Sequence, residues 1–103
     1  MANTYKNAKV DLTTTNATTV LTTPVGSTNI IKSMLVSEDS GNADTITLTI
    51  TDTDSAVFSL FKVKAVSANT TVELLTQPLV LQDSEILKAT AATANRLHLV
   101  VSY

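Results

Sequence analysis

Residues Thr45–Thr53 read TITLTITDT. Five threonines stand at every second position, and Ile46, Leu48 and Ile50 fill the gaps between the first four. A period of two sends alternate side chains to opposite faces of a pleat, so the stretch predicts a strand with one aliphatic and one threonine face. Branching at Cβ, present in every one of these residues except Leu48 and Asp52, restricts χ1 and suits the pleated backbone. The aliphatic face reads as core. The threonine face reads as a surface that carries no charge.

The flanking sequence repeats the strand pattern. Before it, Glu38-Asp39-Ser40-Gly41-Asn42-Ala43-Asp44 is a polar loop with a glycine, as expected of a hairpin connection. Ile30–Ser37 is apolar on both faces and predicts a central strand or one covered on both sides. Thr18–Thr22 precedes it, closed by Pro24, Gly26, Ser27 and Asn29. Tyr5–Thr13 alternates through Ala8, Val10 and Leu12 as a first strand. After the threonine stretch, Asp54-Ser55 turns into Ala56–Val66, where Phe58 and Phe61 both read as interior. Thr70–Leu75, Leu79–Leu81, Ile86–Ala91 and Arg96–Tyr103 follow, separated by turn formers. The alanine-rich run Ser84–Ala94 has some helical character, but it is short and Thr90 and Thr93 oppose it, so it predicts a strand. Eight or nine short strands at spacings of roughly 8–12 residues predict an all-β fold, an antiparallel β-sandwich of jelly-roll-like type. No repeat of 20–50 residues is present, which excludes solenoids and propellers.

Composition sets further bounds. A chain of 103 residues predicts a single β-sandwich domain over 1–103. Cysteine is absent, which argues against a small disulfide-stapled secreted scaffold. The opening residues MANTYKNAKVDL lack the apolar run of a signal peptide, and no stretch approaches ~18 apolar residues. Synthesis in a cytoplasm and no membrane partner are therefore expected. Charged residues make up 16% of the chain and the net charge is −2, while threonine supplies 19 of the 103 residues. So few charges leave little to keep copies apart, which suits a subunit packed against neighbours. The seven cations are scattered and the aromatics number four, so no nucleic-acid patch is expected.

Candidate chemistry is sparse. His98 is the only histidine, and a triad needs a nucleophile, a base and an orienting acid; with no cysteine and no nucleophile elbow, no catalytic residues are assigned and the chain is not expected to be an enzyme. Asp39 with Asp44, or Asp52 with Asp54, could offer oxygens to calcium, but the ordered EF-hand spacing is missing, and they read as turn formers. Asp83 and Glu85 share one turn and read the same way, not as a glycosidase pair. No metal and no cofactor is expected. Asn16-Ala17-Thr18 and Asn69-Thr70-Thr71 match the glycosylation pattern by coincidence in a threonine-rich chain. A threonine lattice for ice would need the Thr-x-Thr repeat on stacked strands, and here it occupies one.

The second half, TVELLTQPLVLQDSEILKATAATANRLHLVVSY, resembles a recurring C-terminal pattern of small virion structural proteins of tailed bacteriophages, especially those of marine and cyanobacterial hosts. The pattern runs through Glu73-Leu74-Leu75, the proline-led Pro78-Leu79-Val80-Leu81, Ile86–Ala91 and the closing Val100-Val101-Ser102-Tyr103. Ile30-Ile31-Lys32-Ser33 and the acidic loop after it are similar as well. Such turns often carry Gly-Asp where this chain has Ser84-Glu85. The resemblance implies a virion component made in the host cytoplasm: a capsid decoration (cement) subunit, or a tail, baseplate or head-spike/fibre-base part with a carbohydrate-binding adhesion role. The partners expected are the chain itself, as a homo-oligomer such as a trimer, and another virion protein such as the major capsid protein. The expected contact residues are Thr45, Thr47, Thr49 and Thr51, with Lys62, Lys64, Arg96 and His98.

Overall fold

The computed structural model describes residues 6–103, which form ten strands and no helix. They are β1 (Asn7–Asp11), β2 (Thr18–Thr22), β3 (Asn29–Ile31), β4 (Ser33–Glu38), β5 (Asp44–Thr51), β6 (Val57–Val66), β7 (Thr71–Glu73), β8 (Leu79–Leu81), β9 (Ile86–Ala91) and β10 (Leu97–Ser102). All pairings are antiparallel. One sheet has the order β1-β10-β4-β7, a second the order β2-β9-β5-β6, and β3 pairs with β8 in a two-stranded ribbon. The first strand begins at Asn7, and Tyr5 of the predicted strand lies outside the described residues.

Each strand pairs with its mirror image in chain order: β5 with β6, β4 with β7, β3 with β8, β2 with β9 and β1 with β10. The chain thus folds as one long nested hairpin centred on the turn between Thr51 and Val57. Two lateral pairings, β10 with β4 and β9 with β5, join the arms into the four-stranded sheets. The two chain arms meet again at Lys6 and Tyr103, which exchange backbone hydrogen bonds of 2.6 and 2.8 Å.

A single core draws on both sheets and the ribbon. Ile46, Leu48 and Ile50 of β5 meet Leu87, Ala89 and Ala91 of β9, Met34 and Val36 of β4, and Leu97, Leu99 and Val101 of β10. Ile31 and Leu81 bring the ribbon into the same cluster. The alternation read in β5 is realised along its whole length, with every even-numbered residue from Asp44 to Ile50 buried. Removing each such aliphatic side chain from water contributes about 1.5–3 kcal/mol. Ser84–Ala94 contains β9, as the threonines there predicted.

Two predicted features differ. Nine strands become ten because Ile30–Ser37 is interrupted at Lys32. Ile31 is buried and so are Met34 and Val36, a spacing of three that no regular pleat permits. The chain changes partner at that step, from β8 to β10 and β7, and the faces exchange. Consequently Ile30 and Leu35 are exposed, and this segment is not covered on both sides. The second difference is β6, whose aromatic residues are not both interior: Phe61 is half-buried, whereas Phe58 is 57% exposed.

Candidate interaction surface

The outward face of the β5 sheet is a grid fixed by strand register. Thr19, Lys88, Thr49 and Ser59 form one row across β2, β9, β5 and β6, and Thr22, Ile86, Thr51 and Val57 form another. Thr47 stands opposite Thr90 of β9. Thr45, Thr47, Thr49 and Thr51 are all half-buried between these neighbours. Lys88 stands in the middle of this face, so the face is not free of charge, a feature that reading β5 alone could not find. Lys62 and Lys64 are exposed at its β6 margin. Six of the eight predicted contact residues are therefore brought to one sheet.

That margin is irregular. The register of β6 against β5 shifts between Ile46 and Leu48 and again between Leu48 and Thr49. Two extra residues have to be accommodated, and each makes a bulge. At the first, Val63 adopts a φ of 53°, a left-handed conformation costly for a β-branched side chain and usual for glycine. Its displaced N–H donates to Thr47 Oγ1 at 3.0 Å. One hydroxyl of the threonine face thus serves the bulge beside it. Val57, Phe58 and Val63 are each more than half exposed, and among the described residues β6 ends the sheet with no strand beyond it.

His98 belongs to β10 of the other sheet and Arg96 to the turn just before that strand, so neither joins Lys62 and Lys64. Arg96 donates to the Ala43 carbonyl at 3.1 Å. His98 lies between two carboxylates, with Nε2 3.3 Å from Asp11 Oδ1 and Nδ1 3.6 Å from Asp39 Oδ2. Ser37 is its register partner on β4, yet both ring nitrogens already face carboxylates. The arrangement ties β1 and the 39–43 loop to β10.

Beside it, Glu38 is buried at the end of β4. Its carboxylate accepts hydrogen bonds from the N–H groups of Ser40, Gly41, Asn42 and Asn69 and from the Ser40 hydroxyl. Burial pushes this carboxyl up, but the Ser40 hydroxyl and the N–H groups of Ser40, Asn69 and Gly41 outweigh it and hold it below its ordinary value. Glu73 is similar: burial raises it, but the Ser33 hydroxyl and the N–H groups of Met34, Leu75 and Leu74 outweigh this and hold it below its ordinary value. The Ser84 hydroxyl and the Gly26 N–H lower Asp83. Asp52 accepts from the N–H groups of Asp54 and Ala56, both at 2.9 Å, and Glu85 from that of Gln82. Asp52, Asp83 and Glu85 organise turns, as their sequence setting predicted, whereas Glu38 and Glu73 close the ends of β4 and β7. Asp44 departs from that reading in being buried, where it accepts from Thr93 N–H at 3.0 Å.

Comparison with protein-family models, with curated proteins and with solved structures gave no match. Among the described residues, no group of three or more His, Cys, Asp or Glu side chains is gathered to hold a metal ion. No buried side-chain nitrogen or oxygen there lacks a hydrogen-bond partner. Among the described residues the surface includes a half-buried polar sheet face, the apolar margin of β6, and an exposed Ile30–Val80 pair on the ribbon.

Proposed function

We propose that the chain is a non-enzymatic structural protein of a bacteriophage virion, a capsid decoration subunit of jelly-roll type that self-associates and binds the capsid shell. The observation that carries this reading is the strand order. A long hairpin whose arms pair β1 with β10 through β5 with β6, wound into sheets of order β1-β10-β4-β7 and β2-β9-β5-β6, supports the jelly-roll reading, since a double Greek key is expected to wind this way. Viral capsid domains are prominent among jelly rolls. The resemblance of Glu73–Tyr103 to small virion proteins points the same way. Attachment would use many shallow contacts multiplied by symmetry. The hydroxyls around Thr47 and Thr49 suit this role, since they can meet another subunit at little desolvation cost, while Lys88 in their midst calls for an acidic group on the partner.

Antibodies against the chain test the location: they should label the heads of phage particles, and particles should not bind a Thr49→Lys variant. Labelling at tails would move the assignment to a tail or baseplate part, and absence from all particles would remove both. A carbohydrate-binding role on a tail or spike gains one observation, the exposed ring of Phe58, because sugar sites use an aromatic platform beside polar groups. Selective glycan binding that Phe58→Ala abolishes would establish it.

A further inference from the structure

We infer that the free edge of β6 is a pairing surface for a second copy of this chain, joined about a two-fold axis at Phe58. This specifies the self-association proposed above. β6 is the longest strand, ten residues, and it closes one side of its sheet. An edge strand exposes unpaired N–H and C=O groups, and folded proteins usually blunt it with lysines or bulges. Here the blunting is confined to one half. Lys62, Lys64 and the bulges at Leu60 and Val63 guard the C-terminal part, while Val57-Phe58-Ser59 carries no charge and keeps regular register with Thr51, Ile50 and Thr49.

The backbone groups of that unguarded part are placed for pairing. Asp52 N–H donates to the Ala56 carbonyl at 3.0 Å, and antiparallel ladders alternate between bonded and non-bonded pairs. Val57 and Ser59 therefore turn their N–H and C=O groups away from β5, toward the free edge. An antiparallel second copy with its axis at Phe58 sets Val57 of each copy against Ser59 of the other, with both backbone bonds exchanged. The two Phe58 rings then occupy a non-hydrogen-bonded pair, where side chains approach most closely and aromatic contacts contribute beyond area.

Charge selects the direction. Asp54 lies four residues before Phe58 and Lys62 four after it. Antiparallel pairing brings the end of each copy that carries Asp54, in the turn before β6, toward the Lys62 end of the other, whereas parallel pairing would set like against like. The product is a continuous eight-stranded sheet across two chains, with a two-fold and no three-fold axis at this contact. The Ile30–Val80 pair on the ribbon is also exposed, but its strands are three residues long and offer a poorer ladder.

Light scattering and sedimentation of the full chain over a rising concentration series test this, with circular dichroism confirming the fold of each variant. The wild-type chain should dimerise. Val57→Lys and Phe58→Lys, both at exposed positions, should each weaken the dimer by more than about tenfold, as loss of a central contact does. Asp54→Lys and Lys62→Asp should each weaken it several-fold, and the double exchange should restore it. Thr49→Lys should leave the dimer intact. A wild-type chain that stays monomeric overturns both the pairing and the wider self-association. Oligomers unaffected by Val57→Lys and Phe58→Lys overturn the edge alone, and a double exchange no better than the singles overturns the antiparallel register.

Discussion

β5 and β6 leave the same turn and share one ladder, yet they are opposite kinds of strand. β5 is central, flanked by β9 and β6, regular in its alternation and buried on one face throughout. β6 ends the sheet, carries both register shifts and a left-handed valine, and is buried only at Val66. β6 is the more apolar of the two, with seven apolar residues in ten against three in eight for β5, yet it is the less buried. Position in the sheet, not hydrophobicity, decides which apolar residues reach the core. A strand with neighbours on both sides has its register fixed twice, so every inward side chain is held over the core. An edge strand is held on one side only, and its extra residues escape into bulges.

Substitutions should expose that contrast. Leu48→Ala empties a fully buried site and should cost about 2–5 kcal/mol in chemical denaturation. Phe58→Ala removes a larger side chain, yet in dilute monomer it should change stability by less than ~1 kcal/mol. An equal loss at both positions would show that β6 contributes to the core as β5 does. The entry to β5 depends on Glu38, whose carboxylate gathers the 39–42 loop. Glu38→Gln presents one acceptor oxygen and an unwanted amide donor to the same N–H groups, so its melting temperature should fall clearly at neutral pH.

The pH dependence has a defined sign. Glu38, Glu73 and Asp83 are all held below their ordinary values, so their stabilisation is complete above the ordinary carboxylate range. It is lost as pH falls through the lowered values. Acid titration of the wild-type chain should therefore show stability dropping on the acid side, and Glu38→Gln should flatten that drop. Val63→Asn keeps the backbone where asparagine is tolerated, and should stabilise the monomer by up to about 1 kcal/mol. Thr49→Val on the half-buried face should alter the denaturation midpoint least, within roughly 0.5 kcal/mol.

The sequence carried the strand class well where alternation was strict. TITLTIT could hardly be anything but a strand, and β9 was recognisable because Thr90 and Thr93 countered its alanines. Ile30–Ser37 was misread at one point because a partner exchange at Lys32 reverses the faces, and no local residue pattern marks a change of neighbour. Phe58 was misplaced for the same reason, since the end of a sheet is a property of long-range pairing. The surface was partly legible. Reading the β5 threonines as one face was possible from period alone, but Lys88 joins them only through the β9 register. Nothing local in the sequence marks the partners of His98, because Asp11 and Asp39 approach it from distant segments.

The nested pairing also constrains the order in which the chain can fold. Only β5 and β6 lie close in sequence, joined by the turn that Asp52 organises through Asp54 and Ala56. Every other mirror pair has to close a longer loop, up to Asn7 with Ser102. Loop-closure entropy grows with length, but each pair formed shortens the loop left for the next. Zipping from the Asp52 turn toward the two ends is the least costly route, and a chain dominated by distant pairings folds slowly. The terminal strands would then dock last, onto a sheet already waiting for them.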